Sequence, residues 1–140
     1  MRIFLDANVL FSAAKSDGLM RDLLETALRA GHACWADTYV VEEARRNLAS
    51  KYPARLAALD KLLREVSVGG PPVADAELSA SLPLPEKDRP VLLAAIHHRC
   101  ACLVTGDRLH FGAFYGKALH GVTILSPRDL AERLISGRIR

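Results

Sequence analysis

Short apolar blocks, too brief for helices, alternate along the chain with longer stretches in which apolar residues return every three or four positions. That alternation predicts strands followed by helices. Arg2–Leu5 is the first block; it contains the β-branched Ile3 and ends at Asp6, as a buried strand would. Leu19, Leu23, Leu24, Ala27 and Leu28 then recur at helical spacing, with Gly31 placed as a C-cap. Residues 33–36 form a second short strand, and Asp37-Thr38 supplies cap oxygens for a helix with Val40, Val41, Ala44 and Leu48 on one face. Pro53 suits the first turn of another helix, with Leu56, Leu59, Leu63 and Val66 on its apolar side. Gly69-Gly70-Pro71-Pro72 breaks the chain, and Val73 and residues 74–81 carry no decisive pattern. A helix is expected over 86–99, with Pro90 tolerated in its first turn, where amides need no intrahelical acceptor. Residues 102–105 and Val122–Leu125 read as two more strands, and Ser126-Pro127-Arg128-Asp129 opens a last helix with a capping box.

Strands alternating with helices predict an α/β fold built on a central, mainly parallel sheet with helices on both faces. The 140 residues are enough for one core, and a chain of this size buries roughly two-thirds of the surface it exposes when unfolded. Neither side of the Gly-Pro break is long enough for a good core alone, so residues 1–140 are expected to form a single domain. The three cysteines, Cys34, Cys100 and Cys102, are odd in number and lack the paired spacing of a zinc site or a secreted disulfide framework. No apolar run approaches the roughly 20 residues that span a bilayer, and Met1 to Leu10 is too short for a signal segment. These features predict a soluble, cytoplasmic protein that does not enter membranes. A net charge of +3 is compatible with a polyanionic partner without requiring one.

The acidic residues change the picture. In an open parallel sheet, ligands bind in the crevice beyond the carboxyl ends of the strands. Asp6 directly follows the first strand, and Asp107 stands two residues beyond Thr105 at the end of the third. Asp88 shares a helical face with Leu92 and Ala95 and is therefore expected to point towards the sheet. Glu43 lies early in the helix after the second strand, nearer the edge of the apolar face than Glu42, which stays open as the alternative. Carboxylates confined to one crevice repel one another, and a hard divalent cation relieves the repulsion. Mg²⁺ or Mn²⁺ is the expected cofactor, and hydrolysis of a phosphodiester is the chemistry such a site supports. Arg45, Arg46, Lys51, Lys87, Arg89 and Arg108 are close in sequence to these acids and suit the steering of a nucleic-acid backbone.

Four fragments share one resemblance: Phe4-Leu5-Asp6-Ala7-Asn8-Val9-Leu10, Val41-Glu42-Glu43-Ala44-Arg45-Arg46-Asn47-Leu48, Lys87-Asp88-Arg89-Pro90-Val91-Leu92-Leu93-Ala94-Ala95 and Leu103-Val104-Thr105-Gly106-Asp107. In this order and spacing they resemble the PIN-domain family, from Met1 to about Pro127. The resemblance implies a three-layer α/β/α nuclease using Mg²⁺ or Mn²⁺, with Asp6, Glu43, Asp88 and Asp107 at the family's acidic positions. It further implies an RNA substrate and a role as the ribonuclease toxin of a VapBC-type toxin–antitoxin pair, with an antitoxin partner and a homodimeric state. Asn8 and Thr105 match positions that are often polar in the family and are expected to hydrogen-bond around the acids. One departure stands out: where many members place a further acid before an aromatic residue, this chain has His110 before Phe111. That substitution implies that a second ion would be held weakly.

Plainer readings accompany each residue. An Asp after a strand is commonly a turn former or cap, and Asp88 would be a favourable charge at any helix start. His97 and His98 diverge on a helix and are expected to be surface or boundary residues, His110 is expected to be a loop residue with a phosphate contact as the alternative, and Cys100 and Cys102 are expected to be small, partly buried side chains. Two other functions compete with the nuclease: a noncatalytic nucleic-acid or nucleotide-binding module of the same fold, and a haloacid-dehalogenase-type phosphatase. The latter needs a second acid two residues after Asp6, where Asn8 stands.

Overall fold

The computed structural model describes residues 1–71 and 74–137; Pro72, from the predicted break, and Val73 lie outside the described residues. β1 (Arg2–Leu5) is followed by two helices, α1 (Ala7–Lys15) and α2 (Leu19–Arg29), and then by β2 (Ala33–Asp37). α3 (Thr38–Lys51) and α4 (Leu56–Leu63), joined by a 3₁₀ turn over Pro53–Arg55, lead to β3 (Val66–Gly69). α5 (Ala76–Ser81), a 3₁₀ turn over Glu86–Asp88 and α6 (Arg89–His97) return the chain to β4 (Cys102–Val104). α7 (Arg108–Phe111), β5 (Ala118–Leu119), β6 (Val122–Leu125) and α8 (Pro127–Ser136) complete the order.

The six strands form one sheet in the order β3-β2-β1-β4-β6-β5, parallel except for the β5–β6 pair. This is the expected α/β architecture, a mostly parallel sheet flanked by helices. Consecutive strands run outward from β1 to β3, and the chain then crosses back to add β4 on the other side of β1. Right-handed crossovers in opposite directions place the intervening helices on opposite faces. The order therefore reverses between β1 and β4, and a crevice opens at their carboxyl ends. Ile3, Phe4 and Leu5 of β1 and Leu103 and Val104 of β4 are completely buried, as expected of central strands covered on both sides.

Two local expectations fail. Val66 was placed on the apolar side of the helix after Pro53, but that helix stops at Leu63 and Val66 pairs with Cys34 as the first residue of β3. Tight bonds from the amides of Arg64 and Glu65 to the carbonyls of Lys61 and Leu62 end the helix, freeing Val66 for the sheet edge. The helix after β1 was expected only from Leu19, whereas α1 begins at Ala7 with Val9, Leu10, Ala13 and Ala14 buried. The expected 86–99 helix is a 3₁₀ turn followed by α6, with Pro90 in the first turn of α6 as anticipated, and Arg99 leaves it with a left-handed φ of 55°. Asp129 and Ser126 form the predicted capping box.

Candidate metal centre

Asp6 leaves β1 at the point where the sheet order reverses. Its Oδ1 accepts the Ala7 amide at 2.7 Å and caps α1, so the plain capping reading holds for one oxygen. Its Oδ2 accepts the Thr105 hydroxyl at 2.7 Å and the Asn8 side-chain amide at 3.3 Å. Asp6 is only 7% exposed, and burial is the main reason its carboxyl is pushed up to about 6 from 3.8, with Glu43 and Asp88 contributing through repulsion. Two polar donors hold an acid that the surroundings would rather leave protonated.

Thr105 continues β4 by one residue and is fully buried. Its hydroxyl donates to Asp6 and accepts from the Asp107 amide at 3.2 Å, tying the ends of β1 and β4 together through one oxygen. Asn8 makes a second tie: its Oδ1 accepts the Gly106 amide at 2.8 Å. Tyr115 holds Thr105 itself, its hydroxyl donating to the Thr105 carbonyl at 2.8 Å. The expected hydrogen-bonding roles of Asn8 and Thr105 are thus visible as contacts. Because Asn8 fills the place where a phosphatase of the dehalogenase type needs an acid, the site lacks that enzyme's second carboxylate.

The four predicted acids meet. Asp6, Glu43, Asp88 and Asp107 line one pocket of 110 Å³ together with Asn8, Tyr39, Lys87 and Val91. Glu43 projects there from one turn beyond Tyr39 on α3, whereas Glu42 is not among the residues lining the pocket. Asp88 sits at the N-cap of α6 yet makes no side-chain cap bond, so its carboxylate is not accounted for by helix capping. Burial, and then the neighbouring Asp107, raise the Asp88 carboxyl, while His110 opposes them. Asp107 caps α7, its Oδ1 accepting the His110 amide at 3.2 Å.

His110 is the residue that sequence reasoning misplaced. It was expected as a loop side chain, but its Nδ1 lies 2.8 Å from Asp107 Oδ2 and 2.9 Å from Asp88 Oδ2. A single Nδ1–H can be directed at only one of them. The bond goes to Asp107, while Asp88 Oδ2 lies close to the ring but has no hydrogen-bond partner among the described residues. Ligating atoms of Asp88, Asp107 and His110 all lie within 4.8 Å of one another, a spacing that one metal ion can bridge. The sequence signal was available: His110 is three residues after Asp107, one helical turn away.

The other histidine and cysteine expectations concern packing. His98 stacks on Trp35 at 5.1 Å between ring centroids, at the edge of the core. Cys100 and Cys102 are buried free thiols, each pushed up to about 12 by burial, which keeps them protonated and unreactive.

A reversing parallel sheet with acids gathered at its switch point defines a class of α/β protein with an acidic crevice. Within that class the chain belongs to the PIN domain family, whose model matches residues 2–109. Among curated proteins, none matches the sequence. Solved structures share the fold. VapBC2 from Rickettsia felis, bound to a DNA fragment from its promoter, superposes with a TM-score of 0.65 at 16% identity over 90% of this chain and 98% of that one. VapBC-1 from nontypeable Haemophilus influenzae gives 0.57 at 14% identity, covering 91% of this chain and 99% of the other. Mycobacterium tuberculosis VapC20, a toxin that cleaves the sarcin-ricin loop, gives 0.51 at 17% identity, covering 79% and 93%.

Proposed function

We propose that this chain is a divalent-metal-dependent endoribonuclease in which Asp6, Glu43, Asp88 and Asp107 form the metal-binding and catalytic site. The observation that carries this reading is the meeting of four carboxylates in one pocket, where the buried Asp88 Oδ2 has no hydrogen-bond partner among the described residues and only the His110 ring, at 2.9 Å, beside it. Leaving such an oxygen unsatisfied is costly, and a cation among hard oxygen donors removes the cost. Mg²⁺ or Mn²⁺ fits the donor set, the imidazole of His110 being the one softer group. When bound, the ion supplies Lewis-acid activation of water and neutralises charge building on a phosphate during in-line displacement.

The chain's own residues do the positioning. Asp6 is held by Thr105 and Asn8, and the Asp107 carboxylate by the amide and ring of His110, so these carboxylates meet the ion with their rotamers already set. Glu43, exposed at the pocket edge, orients the attacking water. Lys87 and Arg108 border the acids and attract the phosphate backbone. Because two of the neighbours are VapBC complexes, we read this chain as the toxin of such a pair, homodimeric, cytoplasmic and restrained by an antitoxin protein. Among the described residues no helix is long and apolar enough to cross a membrane.

Cleavage of a labelled RNA in Mg²⁺, in Mn²⁺ and in EDTA tests the reading. Asp6→Asn and Asp88→Asn are expected to lower the rate by more than about 100-fold, beyond the usual effect of outer-shell changes. Glu43→Gln should act likewise while Glu42→Gln stays near wild type. Cleavage that survives Asp6→Asn and Asp88→Asn removes the site. Metal-independent binding of RNA without cleavage would instead select the noncatalytic module.

A further inference from the structure

From the acid pocket, two stripes of side chains run down the paired helices α1 and α3. On α1, Asn8 is followed one turn later by Phe11 and then by Lys15; on α3, Glu43 is followed at helical spacing by Asn47 and Lys51, with Tyr52 at the C-cap. The stripes converge on an aromatic pair: the Phe11 and Tyr52 rings are 5.9 Å apart, tilted by 49°. Lys15 Nζ and Lys51 Nζ lie 5.9 and 5.7 Å from the centre of the Phe11 ring.

Packing alone does not explain this arrangement. Tyr52 is 45% exposed, and its hydroxyl has no hydrogen-bond partner among the described residues. Both lysines are exposed, and neither has a carboxylate within 4.0 Å among the described residues. An open Tyr52 ring held at a fixed tilt against Phe11, with two exposed lysine cations over the same Phe11 ring, matches what a single strand presents: a base face and a phosphate. Phe11 is about 4.5 Å of helix rise from Asn8, and Lys51 about 12 Å from Glu43, which keeps the patch within a short stretch of backbone from the pocket.

We propose that Tyr52, buttressed by Phe11 and flanked by Lys15 and Lys51, is a stacking platform for a single-stranded polynucleotide leading into the acid pocket. The inference deepens the nuclease reading and rests on it for the identity of the pocket. It assigns a substrate class: unpaired RNA, because the base faces of a duplex are stacked away. Tyr52 supplies an aromatic surface tolerant of any base, and the two lysines supply the phosphate contacts.

The test is equilibrium binding in EDTA, where cleavage does not enter, followed by fluorescence anisotropy of a labelled single-stranded oligouridylate. Tyr52→Ala is expected to weaken binding roughly 5- to 100-fold, and Tyr52→Phe to bind as the native protein does. The double change Lys15→Gln with Lys51→Gln should flatten the slope of log affinity against log salt by about 1.4. For catalysis, Tyr52→Ala should raise KM and leave kcat in place. An unchanged affinity for Tyr52→Ala with an unchanged salt slope overturns the platform and assigns the patch to a protein contact. Equal weakening with duplex RNA overturns it too, since a stacked helix offers no base face. The two readings fail separately: loss of binding in Tyr52→Ala without RNA cleavage in any metal keeps the platform and removes the nuclease, whereas native KM in Tyr52→Ala with cleavage lost in Asp88→Asn does the reverse.

Discussion

His110 Nδ1 stands 2.9 Å from Asp88 Oδ2, so a histidine on α7 reaches across to the acid that opens α6. With Asp107 on its other side, the imidazole occupies a space between two carboxylates that a cation would also take. In the protein without metal, the ring nitrogen lies 2.8 and 2.9 Å from the two carboxylates; with metal, the ring and the ion would meet the same donors.

Exchanging that ring for an acid separates these roles. His110→Asp adds an oxygen ligand in place of the competing ring, and titration calorimetry with Mn²⁺ is expected to show affinity raised by about 10-fold or more. His110→Ala is expected to lower the stability of the metal-free protein by about 1 kcal/mol, since the pair is partly exposed and screened. Weaker Mn²⁺ binding by His110→Asp would show that the ring is itself a required ligand.

Asp6 makes the metal-free protein sensitive to pH in a direction opposite to an ordinary salt-bridged acid. Its folded-state value, pushed up to about 6, lies above the 3.8 of the unfolded chain, so the folded state binds this proton more tightly. The stabilisation is complete below 3.8 and is lost as pH rises through 6. Urea unfolding in EDTA should therefore show Asp6→Asn gaining stability over the native protein between those values, by up to about 3 kcal/mol at neutral pH. Saturating Mg²⁺ should abolish or reverse the difference. A native protein that grows more stable than Asp6→Asn on going from pH 4 to pH 7 in EDTA contradicts the burial argument.

Thr105 acts through its neighbours. Thr105→Val keeps the shape and deletes the hydroxyl that donates to Asp6 and accepts from Asp107. Metal affinity or kcat is expected to fall about 10- to 100-fold, while Thr105→Ser, which keeps the hydroxyl, recovers most of the loss. If Thr105→Val cleaves RNA at the native rate, the tie between β1 and β4 has no part in positioning the carboxylates.

The alternation of short apolar blocks with helical repeats was enough to foresee a parallel α/β sheet, because strands buried on both faces must be apolar and short while their covering helices must be amphipathic. The same logic placed Asp6 and Asp107 beyond strand ends, and Asp88 on an inward-facing helical stripe. β3 escaped it: Val66 fits the spacing of the preceding helix as well as it fits a strand, and only pairing with Cys34 separates the two. α1 was hidden for a similar reason, its apolar run from Ala7 merging with the strand before it.

Glu43 and His110 mark the boundary more sharply. Residues adjacent in the chain differ by about 100° on a helix, so Glu42 and Glu43 could not be ranked firmly until α3 had a defined rotation against α1 and α6. His110 required still more, since its contact with Asp88 joins two elements that local sequence does not relate. Composition and periodicity determine which segments are buried and which ends of the strands carry acids. Only tertiary packing decides which donor atoms come within a few ångströms of one another, because that separation depends on the rotation and offset of several helices at once.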